Sequence, residues 1–147
     1  MSQGEQRKRL TPIVQALLIA DHIYRDAQTG KHVLAGTFNT IQCESFPAIW
    51  QQPVFIYLSI TGVHGQVDLV HRLVDLQNHA VILETEPMPV TAATPLDTAE
   101  VVGEVQGLPF PHSGTYALEL HHEGELLSAL RISVVEVKPP EPTSGEA

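Results

Sequence analysis

Eight histidines in a chain of 147 residues are the first candidates for chemistry: His22, His32, His64, His71, His79, His112, His121 and His122. Zinc needs three or four ligands converging on one point. Two ligands from one strand must stand two residues apart, because neighbours face opposite ways. His121 and His122 are adjacent, and no H-x-H or H-E-x-x-H spacing occurs. The set therefore reads as scattered surface histidine, and no metal or other cofactor is expected. His71 stands apart. It shares a strand face with Val67, Leu69 and Leu73, with Asp75 beyond. A polar group on an apolar face must find a partner. Asp21 holds a comparable place on the first predicted strand, so a buried Asp21–His71 or Asp21–Arg72 pair is the expectation. Such a pair without a nucleophile is a core polar contact and not a catalytic triad.

Other chemistries lack their context. Cys43 is the single cysteine, which excludes an internal disulfide and a cysteine-rich zinc site. It follows a predicted strand in a loop where a helix N-terminus could lower its pKa. Nothing in the sequence sets a histidine and a carboxylate beside it, so it reads as a half-buried structural thiol. Ser113 and Ser128 lack a G-x-S-x-G frame. No P-loop or dinucleotide fingerprint is present. The stretch Asp26 to Lys31 lacks the alternating acids of a calcium loop and reads as a turn. Aromatic residues make up 5%, with Trp50 alone, too few for a carbohydrate-stacking platform.

The elements that must position these groups are strands. Thr115 to His122 and Leu126 to Val137 alternate at period two around Glu123-Gly124-Glu125, the pattern of a long β-hairpin. Gly124 supplies the positive φ such a turn needs. Leu126, Leu130, Ile132 and Val134 are expected on one face. Ahead lies Pro109-Phe110-Pro111-His112-Ser113-Gly114-Thr115-Tyr116. Two prolines cannot donate to a ladder, so a regular strand should not run through them. Tyr116 is then placed to turn a corner, ring inward and hydroxyl on nearby backbone.

The remaining strands follow in order. Ile13 to Tyr24 carries Ile13, Leu17, Ile19 and Ile23 on one face with Gln15 and Asp21, although Leu18 leaves a helix open there. His32 to Gln42 reads as one strand, Val54 to Thr61 as strongly β, then Gln66 to Leu76, Ala80 to Glu86, and Thr98 to Gly107 with Glu100 and Glu104 outward, as suits an edge. Cys43 to Pro53 reads as a loop or helical turn whose Phe46, Ile49 and Trp50 plug the core. Pro87 to Pro95 reads as an irregular loop. The sum is an all-β fold: a two-sheet antiparallel β-sandwich, immunoglobulin-like or C2-like, of about eight strands. One domain over residues 12–138 is expected, between a flexible tail at 1–11 and a disordered tail at 139–147.

Bulk numbers narrow the partners. A hydrophobic fraction of 43% supports a buried core. Eight Lys and Arg against 17 Asp and Glu give a net charge of −9, which argues against nucleic acid and anionic membrane surfaces. No apolar run approaches the ~18 residues of a membrane span. Arg7-Lys8-Arg9 ahead of Ile13 to Ala20 imitates a secretion signal. However, Pro12, Gln15 and Asp21 interrupt the imitation and no small-x-small site follows, so a cytoplasmic location is expected.

Ala20-Asp21-His22-Ile23-Tyr24, Thr29-Gly30-Lys31, Gly36-Thr37-Phe38, Phe110 through Tyr116, and Gly124-Glu125-Leu126-Leu127 together resemble a family of small uncharacterised bacterial proteins. The resemblance covers nearly the whole chain. It implies a β-sandwich and no activity or catalytic residue. By subtraction, the leading expectation is a non-enzymatic interaction or assembly module, with a protein partner or self-association. The alternative is a small-molecule or metal-binding domain using the histidine-bearing loops. A hydrolase whose site only the fold reveals is the third reading.

Overall fold

The computed structural model describes residues 10–139, and every regular element among them is a β-strand. All but a few residues of the two expected tails lie outside the described residues. Twelve strands run β1 (Ile13–Arg25), β2 (His32–Thr37), β3 (Thr40–Cys43), β4 (Ala48–Trp50), β5 (Val54–Thr61), β6 (Gly65–Asp75), β7 (Ala80–Glu84), β8 (Met88–Ala92), β9 (Ala99–Val105), β10 (Leu108–Phe110), β11 (Gly114–His122) and β12 (Glu125–Glu136). One sheet has the order β2-β1-β5-β9. The other runs β3-β12-β11-β6-β7, with β8 also on β6, and β4 with β10 forms a small third ladder.

The core lies between the two larger sheets, because their alternation points that way. In β5, Val54, Ile56, Leu58 and Ile60 are buried while Phe55 and Tyr57 face outward. Leu17 and Ile19 join them from β1. Leu69 and Leu73, Leu118 and Leu120, and Ile132 and Val134 meet them from β6, β11 and β12. Each such buried aliphatic side chain contributes about 2 kcal/mol. The alternating long strands are therefore the stable frame.

The four strands beyond the expected eight are all short, and each has a local cause. The stretch His32 to Gln42 is two strands, since the chain changes sheets at Phe38-Asn39. There β2 pairs antiparallel with β1, and β3 pairs parallel with β12, from Thr40↔Ser133 to Glu136↔Cys43. That parallel pair departs from the all-antiparallel expectation. The supposed loop after Cys43 contains β4, paired with β10 across Ile49↔Pro109. A proline is tolerated there because this two-stranded ladder needs few donors from it. Phe46 and Trp50 pack on the core as expected, but Ile49 points out and is 60% exposed. The proline-rich loop after Glu86 contains β8, which takes up the ladder along the first half of β6.

The β11–β12 hairpin turns through Glu123 and Gly124, both at positive φ. Its pairing slips between Leu120 and His121, which face Ser128 and Leu126. Leu127 is the extra residue of this bulge. It packs on the core, and Leu126 is turned outward at 51% exposure, which reverses the expected assignment of Leu126.

The β1–β2 hairpin bends back over the first sheet. On a straight β1 the rows of Arg25–His32 and of Ala16–Ser59–Glu100 would be about 30 Å apart. Yet His32 Nδ1 lies 3.2 Å from a Glu100 carboxylate oxygen, and its ring leans on Tyr57. The His22 ring meets Phe55 edge-on. The Tyr57 hydroxyl donates to the same Glu100 carboxylate.

Candidate functional site

The inward row of β6 is Val67, Leu69, His71, Leu73 and Asp75. Beside His71 the neighbouring edge is broken. β7 pairs with Arg72 to Asp75 and β8 with Gly65 to Leu69, and Thr85 to Pro87 leave the ladder between them. Pro87 has no N–H to offer there. Thr85 patches the gap: its hydroxyl accepts the His71 N–H at 3.0 Å, and its own N–H donates to the His71 carbonyl at 2.9 Å. The backbone is satisfied, but the imidazole is not. Nδ1 is fully buried with no hydrogen-bond partner among the described residues. Burial also pushes the His71 pKa below its ordinary value, so the ring is neutral at physiological pH.

This break opens a groove. Facing it across the sandwich is β9, whose inward positions are Val101, Gly103 and Val105. Gly103 leaves a space: a Cβ there would meet nothing within 4 Å. Ile56, Leu58, Met88 and the two valines supply apolar walls for a groove of about 300 Å³, with Glu86 and Glu104 also on its lining. Beneath is a cavity of about 20 Å³, room for about one water molecule, walled by residues such as Ile19, Leu118 and Ile132. His71 lines both spaces.

A second polar cluster sits at the corner before β11. The Tyr116 ring is fully buried and its hydroxyl donates to the His112 carbonyl at 2.7 Å. His112 Nε2 is 2.6 Å from Asp75 Oδ2, and its Nδ1 donates to the Ser113 carbonyl at 2.7 Å. Asp75 is 1% exposed and also accepts the backbone N–H groups of Gln77 and Asn78 and the Asn78 amide. Burial works to raise the Asp75 carboxyl. The hydrogen bonds from His112, Gln77 and Asn78 together outweigh it and hold it below the ordinary carboxylate range. The Ser113 carbonyl and then Asp75 raise the His112 pKa. With both ring nitrogens donating, His112 is an imidazolium paired to a buried carboxylate. Gly114, at φ 150°, lets the chain pass close to that ring, since a Cβ would sit 3.4 Å from it.

The pairs expected for Asp21 do not form. Asp21 is exposed and lies against Gly36, where an added Cβ would come 2.5 Å from Oδ2. It stands beside the β1–β2 bend, on the hairpin and away from His71. Arg72 faces the other side of β6 and bonds Glu84 of β7 at 3.0 Å. The polar partner in the interior is Asp75, with His112. Asp26 holds its turn by accepting the N–H groups of Gln28 and Thr29 at 2.8 and 2.9 Å. Asp26→Ala is therefore expected to lower the melting temperature more than Asp21→Ala. Thermal unfolding of the two variants under one condition checks this, and the opposite order would show that the hairpin depends on Asp21.

The histidines are not all at the surface. His121 and His122 are 8% and 9% exposed, with His121 bonded to Glu119 at 2.7 Å and His122 facing the Asp68 carbonyl. Among the described residues no three of His, Cys, Asp and Glu converge to hold a metal ion. Cys43 is buried, and burial raises its pKa, which keeps it a thiol. No helix is long and apolar enough to cross a membrane, again among the described residues.

Two sheets packed face to face, a buried tyrosine at the corner, and an open edge with a groove define an all-β sandwich with a ligand-sized recess. The chain belongs to the family described as "Family of unknown function (DUF6941)", whose sequence model matches residues 15–135. No curated protein matches its sequence. Among solved structures it is similar to an alkylpurine DNA glycosylase from Pseudomonas fluorescens, bound to DNA containing an abasic site analogue. That likeness has a TM-score of 0.46 at 8% identity and covers 81% of this chain and 30% of the glycosylase chain. It is also similar to an immunoglobulin-like protein from Pseudomonas aeruginosa, with a TM-score of 0.40 at 8% identity, covering 86% of this chain and 98% of the other.

Proposed function

We propose that this protein is a non-catalytic binding module that holds a small apolar molecule in the groove between β9 and the β7–β8 break. The observation that supports it most is His71, a half-buried neutral imidazole at the join of groove and cavity, whose Nδ1 is buried with no partner among the described residues. Buried polar groups are nearly always bonded, and an exception calls for an explanation. A concave, largely apolar recess with a few polar groups on its lining is the common form of a small-molecule site. This is the alternative reading of the sequence, a small-molecule-binding domain, preferred here to the leading expectation of a protein-interaction or assembly module.

Gly103 provides the test. Its φ lies outside the left-handed region and its Cβ position is open, so Gly103→Leu fills the groove without backbone strain. The apolar fluorophore N-phenyl-1-naphthylamine is expected to bind the wild type at one saturable site. Gly103→Leu, with an unchanged far-ultraviolet circular dichroism spectrum, is expected to bind at least tenfold more weakly. Equal binding by the two proteins, or no saturation by either, would rule this groove out.

A further inference from the structure

Neither ring nitrogen of His71 has a hydrogen bond among the described residues, but only Nδ1 is shut in. Nε2 is the nitrogen left open, and the groove is the open space that His71 lines. A neutral imidazole carries one proton, on one nitrogen or the other. On Nδ1 it would make an unpaired buried N–H. On Nε2 it leaves the buried nitrogen an unpaired acceptor. Among buried backbone groups the orphaned N–H is the rarer of the two, and the same ordering puts the His71 proton on Nε2, facing the groove. The groove is thus an apolar recess with a hydrogen-bond donor inside.

The other polar side chains of the lining leave that donor free. The Thr85 hydroxyl accepts the His71 N–H at 3.0 Å and turns back to the His71 carbonyl at 3.4 Å. Glu86 and Glu104 are exposed, and Glu104 stands opposite Phe55 on the outward side of β9. An ionised group beside His71 would lie among Ile56, Leu58 and Val105. Burying a charge there costs far more than one hydrogen bond to a neutral ring returns. A hydroxyl would bring a proton of its own, and the side chains offer it no open acceptor, since Nδ1 is shut in and the Thr85 oxygen is engaged. A carbonyl oxygen accepts and asks for nothing in return.

Resting on the groove reading above, we infer that the site takes an apolar molecule bearing a neutral carbonyl, such as a ketone, ester or lactone, with its oxygen on the His71 Nε2–H. The apolar walls hold the chain, and the N–H sets its depth and orientation.

Two measurements test this. Long-range nitrogen–proton NMR of the labelled wild type reads the tautomer of each histidine, and His71→Phe, which keeps a ring of similar shape, identifies the His71 signals by their loss. The proton is expected on Nε2. Displacement of N-phenyl-1-naphthylamine then compares 2-octanone with 2-methyl-1-octene, which has a methylene in place of the oxygen, on wild type, His71→Phe and Gly103→Leu. His71→Phe is expected to weaken 2-octanone about fivefold, the loss of one neutral hydrogen bond, and to leave 2-methyl-1-octene unchanged. Gly103→Leu is expected to weaken both. A His71 proton on Nδ1, or a loss of 2-octanone no greater than that of the alkene in His71→Phe, overturns the inference and leaves the groove reading standing. Failure of both compounds to displace the dye, or full binding by Gly103→Leu, overturns both.

Discussion

Replacing Tyr116 by alanine is expected to lower the unfolding free energy by about 4 kcal/mol, and replacing it by phenylalanine by about 1 kcal/mol. The ring is fully buried, edge-on to Phe110 with centroids 5.0 Å apart and stacked near His112. Alanine removes that packing and leaves a cavity between the corner and the core. Phenylalanine keeps the packing and orphans the His112 carbonyl, which now accepts the hydroxyl at 2.7 Å. Small domains are stable by about 5–15 kcal/mol, so the alanine variant should be close to unfolding at moderate temperature. Equilibrium unfolding in urea measures both. If phenylalanine costs as much as alanine, the hydrogen bond and not the ring holds the corner. If alanine costs under about 1 kcal/mol, the corner does not stabilise the fold at all.

Asp75→Ala is expected to cost about 3 kcal/mol near pH 5.5, because it removes the acceptor for His112, two backbone N–H groups and the Asn78 amide in a buried place. The cost should depend on pH in both directions. The folded Asp75 carboxyl titrates below its ordinary 3.8, so its contribution is present above that value and is lost as pH falls through the folded pKa. The folded His112 titrates above its ordinary 6.5, so its contribution is full below that value and is lost as pH rises through the folded pKa. The stability gap between wild type and Asp75→Ala is therefore expected to be widest between about pH 4 and 6.5. Urea titrations across pH 3 to 9 would show it. A gap that stays flat from pH 5 to 9 would mean that His112 is neutral in the folded protein.

The long strands were legible because their apolar residues repeat at period two over many positions, as in Val54 to Ile60 and Tyr116 to Leu120. The short ones were not. β4, β8 and β10 have three to five residues, and two of them contain a proline, which reads locally as a loop. Only the neighbour across the ladder makes them strands. The Leu127 bulge was hidden for the opposite reason. A strict alternation carried through Leu126 looked regular, and the slip shows only when β12 is set against β11. His71 was legible as a polar residue on an apolar row, but its surroundings were not. Asp21 had the matching parity and was a reasonable partner. The bend of β1 at Asp21 and Gly36, which removes it from the core, depends on where the hairpin lands. Asp75 and His112 are 37 residues apart and meet because a turn and a corner lie at the same end of the sandwich. The Asp75-x-Gln77-Asn78 turn could have flagged the carboxylate as a backbone acceptor, but nothing local pointed to His112. Thr85 and Gly103 shape the groove by what is missing, a ladder bond and a side chain, and such gaps have no signature in one sequence.

The parallel pairing of β3 with β12 gives the molecule a mechanical polarity. Tension entering at Thr40 and leaving past Glu136 would slide the two strands along each other, so that all the bonds of this ladder share the load. The β11–β12 hairpin has its open end at Gly114 and Val134. Pulled apart there, it would unzip one pair at a time. A pull through the body of the domain would thus be resisted by the four residues of β3 out of proportion to their number.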